Sequence, residues 1–146
     1  MCLDGVMYIF PTLPLPLPPQ PDVGHGLSYT QFNYSHLAVV GTVTVSTCAN
    51  VSFILSNVGV VSGAEVAQLY VGFPEAAHEP PKLLRDFAKV SLYPQSSKNL
   101  SFSLDSRSLS IWDIGSGSWQ VISGTYTLFI GSSSRDIRLT GSLTVA

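Results

Sequence analysis

Short runs of alternating apolar and polar residues, turn signals between them about every 8 to 12 residues, and no helical periodicity of useful length predict an all-β chain. The architecture that suits roughly seven such strands is an antiparallel β-sandwich of immunoglobulin type. Strands begin after Ser28. Phe32, Tyr34, Leu37 and Val39 alternate, with a slip near Ser35 that predicts a bulge. Val43-Thr44-Val45 and residues 51–55 continue the pattern, and Asn57-Val58-Gly59 and Ser62-Gly63 are turn signals. Residues 64–72 read as a clear strand, with Val66, Gln68 and Tyr70 on one face and Ala67, Leu69 and Val71 on the other. Residues 84–92 follow, then a turn at 94–97. Residues 99–104 place Leu100, Phe102 and Leu104 on one side. Residues 105–109 are expected to form a short helical turn capped by Asp105. Strands at 119–122, 126–130 and 137–145 close the set. Gly124-Thr125-Tyr126 resembles the tyrosine corner of such sandwiches, which places Tyr126 in that role.

At 146 residues the chain makes one domain. A domain of that size buries roughly two-thirds of its unfolded surface. A net charge of -2 offers no basic field for nucleic acid or an anionic membrane. No stretch is apolar for long enough to read as a spanning helix. Charged residues make up only 11% and mean hydropathy is +0.32. That is little charge for a domain wet on every side. Either hydroxyls replace charges on the solvent face, or a neighbouring domain covers part of the surface. Residues 1–23 differ in composition from the rest. Their Leu-Pro alternation favours polyproline II and excludes both helix and ladder, so an irregular or misread segment is expected there and the domain proper at 24–146. The apolar start has no basic flank and no cleavage site, hence no convincing signal peptide. Cys2 and Cys48 permit one disulfide without demanding it.

Catalytic chemistry finds few footholds. Glu75 and Glu79 share a proline-flanked loop with no His or Arg frame and are expected to be solvated. Glu65 is expected to pair with Arg85 or Lys82, and Asp136 to serve a hairpin turn. His25, His36 and His78 are scattered, and no Cys/His spacing suggests zinc. No nucleophile elbow surrounds Ser28, and the glycines fall in turns rather than at helix starts. No catalytic, cofactor-binding or metal residue is therefore assigned. Tyr29, Tyr34, Tyr93, Trp112 and Trp119 are available to stack on sugar rings, but the two tryptophans are expected to pack the sandwich or cover its edge. Three of the four asparagines, Asn33, Asn50 and Asn99, stand in N-x-Ser sequons, as expected of a secreted, glycosylated parent.

Four blocks now stand in order: GHGLSYTQFNY at 24–34, GAEVAQLYVGFPEAAHEPPKLLRDFAKVSL at 63–92, SIWD at 110–113 and SGTYTLFIGSSSRDIRLTGSLTV at 123–145. Together they resemble the C-terminal fibronectin type III-like domain of glycoside hydrolase family 3, the β-glucosidase family. The resemblance covers residues 24–146. It implies a fibronectin type III-like sandwich and a non-catalytic accessory role. The family's nucleophile Asp and acid/base Glu lie in two preceding domains, and neither motif is present here. The implied partners are the catalytic domains of a longer, secreted parent that cleaves terminal β-D-glucosyl residues, with related glycosides left open. A free-standing oligosaccharide-binding or adhesion module is the alternative. Two departures stand out: Pro21-Asp22-Val23 where the family has Phe-Pro-Phe, and Gln95 where it has glycine.

Overall fold

The computed structural model describes residues 28–44 and 46–146. The strands are β1 (Phe32–Val40), β2 (Ala49–Asn57), β3 (Gly63–Gly72), β4 (Leu83–Leu92), β5 (Ser97–Leu104), β6 (Ser110–Asp113), β7 (Ser118–Val121), β8 (Gly124–Gly131) and β9 (Ile137–Val145). A single 3-10 turn, Glu75–Ala77, is the only helical piece among the described residues. Strands β1-β2-β5 form one antiparallel sheet and β4-β3-β8-β9 a second, while β6 and β7 pair as a separate ribbon. This is the all-β antiparallel sandwich that the alternation predicts, of the fibronectin type III-like kind that the resemblance implies.

Each sheet turns its apolar residues inward because side chains alternate across a strand. Val51, Phe53 and Leu55 of β2 and Leu100, Phe102 and Leu104 of β5 meet Ala67, Leu69 and Val71 of β3 and Tyr126, Leu128 and Ile130 of β8. Phe53 is fully buried at the centre, stacked on Tyr34 with ring centroids 5.8 Å apart and tilted against Phe102 at 5.8 Å. Burying a ring of this size contributes about 2–3 kcal/mol. The hairpin from β8 to β9 closes tightly. A Cβ on Gly131 would sit 1.9 Å from the Asp136 carbonyl oxygen, so only glycine fits.

The slip near Ser35 is a bulge. Register shifts between Ser35 and Ala38, with His36 at φ 56, so Leu37 and Val39 regain the inner face. A second shift separates Leu69 from Tyr70 in the β3–β4 pairing. Several expectations need correction. Thr42–Thr44 is not a strand: Thr44 and Thr47 bond to each other at 2.7 Å in a turn, which competes locally with any ladder. Val45 lies outside the described residues. Residues 105–109 turn without a helix, although the Asp105 carboxylate does accept from the Ser108 N–H at 2.9 Å. Trp112 and Trp119 do not pack the sandwich. They face each other across the β6–β7 ribbon, edge to face at 5.6 Å, and remain 51% and 67% exposed. Residues 1–23, His25 and Cys2 lie outside the described residues, and Cys48 is exposed.

Candidate functional site: the loop end of the sandwich

Three loops meet at the end of the sandwich where residues 28–31 lead into β1. They are residues 28–31, 58–62 between β2 and β3, and 93–96 between β4 and β5. The side chain that joins them is Asn57, 1% exposed. Its Oδ1 accepts from Thr30 Oγ1 at 2.6 Å and from the Gly59 N–H at 3.0 Å. Its Nδ2 donates to the Val61 carbonyl at 2.9 Å and to the Leu92 carbonyl at 3.1 Å. Backbone bonds reinforce the joint: Val58 N–H donates to Gln31 O and Gln95 N–H to Asn57 O, both at 2.9 Å. The sequence marked Asn57 only as part of a turn. Its place two residues after Leu55, in phase with the inward residues of β2, was the signal that it would be buried.

Gln95 stands where the resemblance implies glycine. It sits at φ 60, a left-handed conformation that glycine adopts freely and other residues at a cost of about 1–2 kcal/mol. Its amide donates to Val58 O at 3.1 Å and Gly59 O at 3.0 Å, which offsets that strain and fastens two loops together. On this frame Tyr29, Val58, Val60, Val61 and Tyr93 stand in water. They are five of the nine large apolar side chains left exposed among the described residues, and Val60 is 88% and Tyr93 78% exposed. Loop hydrogen bonding is thus spent on holding apolar groups outward, the arrangement expected of a contact surface.

An open cleft of about 540 Å³ runs beside these loops, lined in part by Thr30, Phe32, Tyr34, Glu65, Asp136 and Arg138. Burial raises the Glu65 carboxyl above its ordinary range, and the nearby Tyr34 and Arg138 only partly offset this. The Tyr34 hydroxyl is itself pushed up, first by burial and then by the Glu65 charge, and it makes no hydrogen bond of good geometry. Asp136 is the other carboxylate. It bonds Arg138 Nε at 2.7 Å and accepts from Ser132 Oγ, which fixes the turn after β8. Both partners are partly exposed, so this pair is worth at most about 1 kcal/mol. An acid held toward its protonated form and a carboxylate bonded to an arginine give the cleft its polar side.

Other expected residues fall elsewhere. Glu65 does not reach Arg85 or Lys82. It pairs in register with Val90, and Arg85 lies five residues further along β4, about 17 Å away at strand spacing. Lys82 instead donates to Ser134 O at 2.6 Å, and Arg85 lies over the Phe73 ring at 5.3 Å. Glu75 and Glu79 are exposed on the loop before β4. Tyr34 is buried in the core, not displayed. Tyr126 is fully buried, and its hydroxyl donates to the Ile122 carbonyl at 2.7 Å and lies 3.4 Å from that of Leu109. Asn33, Asn50 and Asn99 are exposed. No group of three or more His, Cys, Asp or Glu suited to a metal occurs among the described residues.

Residues 65–134 match the family model described as fibronectin type III-like domain. Among curated proteins, the chain is 46% identical to the probable β-glucosidase L of Emericella nidulans, over 87% of this chain and 20% of that protein. It is 41% identical to the β-glucosidase cel3A of Pyricularia oryzae, over 87% and 20%. Among solved structures it resembles the β-D-glucoside glucohydrolase of Trichoderma reesei, with TM-score 0.77 and 44% identity over 84% of this chain and 20% of that one. It also resembles the family 3 β-glucosidase of Bifidobacterium adolescentis, with TM-score 0.78 and 34% identity over 85% and 18%. The chain thus spans about a fifth of the length of the relatives it matches.

Proposed function

On the premise that this chain belongs to the fibronectin type III-like domains of the C-terminal region of family 3 β-glucosidases, we propose that it is a non-catalytic accessory domain. Its loop end packs on the catalytic domains of a parent enzyme and holds them together. The parent would release terminal β-D-glucosyl residues from polysaccharide breakdown products outside the cell. The observation that carries this reading is the apolar cluster of Tyr29, Val58, Val60, Val61 and Tyr93, placed where the chain enters the domain. In the relatives about four-fifths of the length lies outside the matched part, so a large body is available to cover it. Covering a large apolar side chain contributes about 1.5–3 kcal/mol before the costs of association. The Tyr126 hydroxyl is proposed as the tyrosine corner that stiffens the opposite end. Trp112 and Trp119 are inclined at 74° and offer no flat platform for a sugar ring, which weighs against the oligosaccharide-binding alternative.

Trans-complementation tests the reading. The Emericella nidulans relative would be produced without its matched C-terminal part and mixed with this chain. The expected result is association and a higher inactivation temperature, with no hydrolysis of an aryl β-glucoside by the chain alone. Turnover by the chain alone, or a correctly folded chain that neither associates nor protects, overturns the proposal.

A further inference from the structure

We propose that the outer face of the β1-β2-β5 sheet is a glycosylated face, carrying N-linked oligosaccharide at Asn33, Asn50 and Asn99. Each sequon lies within a strand: Asn33 in β1, Asn50 in β2 and Asn99 in β5. The two-residue period of a strand puts the asparagine and its serine on one face and the residue between them on the other. The intervening residues are Tyr34, Val51 and Leu100, buried at 7%, 0% and 8% exposure. All three sequons therefore point the same way, into water, on a single sheet.

Register gives the composition of that face. Its cross-strand rows are Asn33–Ser56–Ser97, Ser35–Ile54–Asn99, Ala38–Ser52–Ser101 and Val40–Asn50–Ser103. None of these residues is charged. A solvent-facing antiparallel sheet ordinarily carries polar and charged residues, and its outer strands are ordinarily guarded by charge or proline. Here β1 and β5 are the outer strands, and each carries a sequon. Nine of the twelve are Ser or Asn and β5 also exposes Lys98, so small polar groups wet the face, and oligosaccharide at these positions adds the bulk that blocks strand pairing at both edges. Strand geometry separates Asn33 from Asn99 by about 12 Å, Asn99 from Asn50 by about 14 Å and Asn33 from Asn50 by about 21 Å, room for three separate chains. Asn33 also lines the rim of the cleft, so its glycan stands at the border with the loop end, whereas those at Asn50 and Asn99 project from the face.

The donor is a polyprenyl-pyrophosphate-linked oligosaccharide. The asparagine amide nitrogen attacks the anomeric carbon of its first N-acetylhexosamine. A carbon–nitrogen bond forms and the carbon–oxygen bond to phosphate breaks. Polyprenyl pyrophosphate leaves with the electron pair, and the amide nitrogen gives up one proton to solvent. Transfer occurs on the extended nascent chain, so the strand fold decides only whether the product is compatible with the native state.

The test is secretion of the full chain from a yeast host behind a heterologous leader, followed by peptide N-glycosidase treatment in ¹⁸O water. This converts each occupied asparagine to labelled aspartate. Label at two or three of the sequons, in protein with a cooperative thermal transition both before and after treatment, is expected. Label at one sequon or none, or labelled protein without such a transition before treatment, overturns the proposal. A second measurement guards against host preference. The N33Q/N50Q/N99Q variant is expected to keep the thermal transition but to self-associate at concentrations where the glycosylated chain is monomeric. A variant that stays monomeric contradicts the shielding role.

Discussion

Replacing Asn57 by alanine removes four hydrogen bonds at once and strands the Gly59 N–H and two carbonyls in a nearly closed site. The expected loss is about 2–4 kcal/mol, since orphaned buried groups carry most of such penalties. A denaturant melt of N57A reads it. Tyr126→Phe deletes a single buried donor and should lose about 1 kcal/mol with no change in fold, by the same measurement. Glu65 gives a pH signature. Its folded pKa is raised above the ordinary 4.5, so the folded state resists the charge. The penalty is present above the raised value, falls as pH drops toward 4.5, and is gone below it. Glu65→Gln should therefore melt higher than the parent at pH 7.5 and equally at pH 4.0. An equal gain at both values would show that charge is not the cause.

Strands with strict alternation were legible because periodicity and burial are the same fact seen twice. Residues 64–72 predicted β3 with both its faces, and the slip at Ser35 predicted the bulge that lets Leu37 and Val39 face inward. Pairing distance was less legible. Glu65 and Arg85 are complementary in charge, but only register shows that Arg85 sits five residues along β4 from Val90, the partner of Glu65. Packing of the tryptophans inside the sandwich was misread because large aromatics are usually buried, whereas a four-residue ribbon can turn both outward against each other. The turn at Gln95 holds a left-handed residue other than glycine, through two side-chain bonds that no local pattern announces. Of the contact surface, the turns were readable and the hub was not. Asn57 is in phase with Val51, Phe53 and Leu55, unlike Asn50, but that phase does not show which loops it joins.

The sandwich divides its surface by composition. The loop end holds apolar groups outward, one sheet face carries three sequons, and the cleft beside the loops gathers Glu65, Asp136 and Arg138. On the two proposals made above, this division accounts for the low charge content, since neither a covered surface nor a glycosylated one needs Lys or Glu for solubility. Amide hydrogen exchange on the complex between this chain and the truncated Emericella nidulans relative tests that account most directly. New protection is predicted in residues 28–31, 58–62 and 93–96, and none is predicted over β1, β2 and β5. Protection centred on those three strands, with the loop end left unchanged, would contradict it.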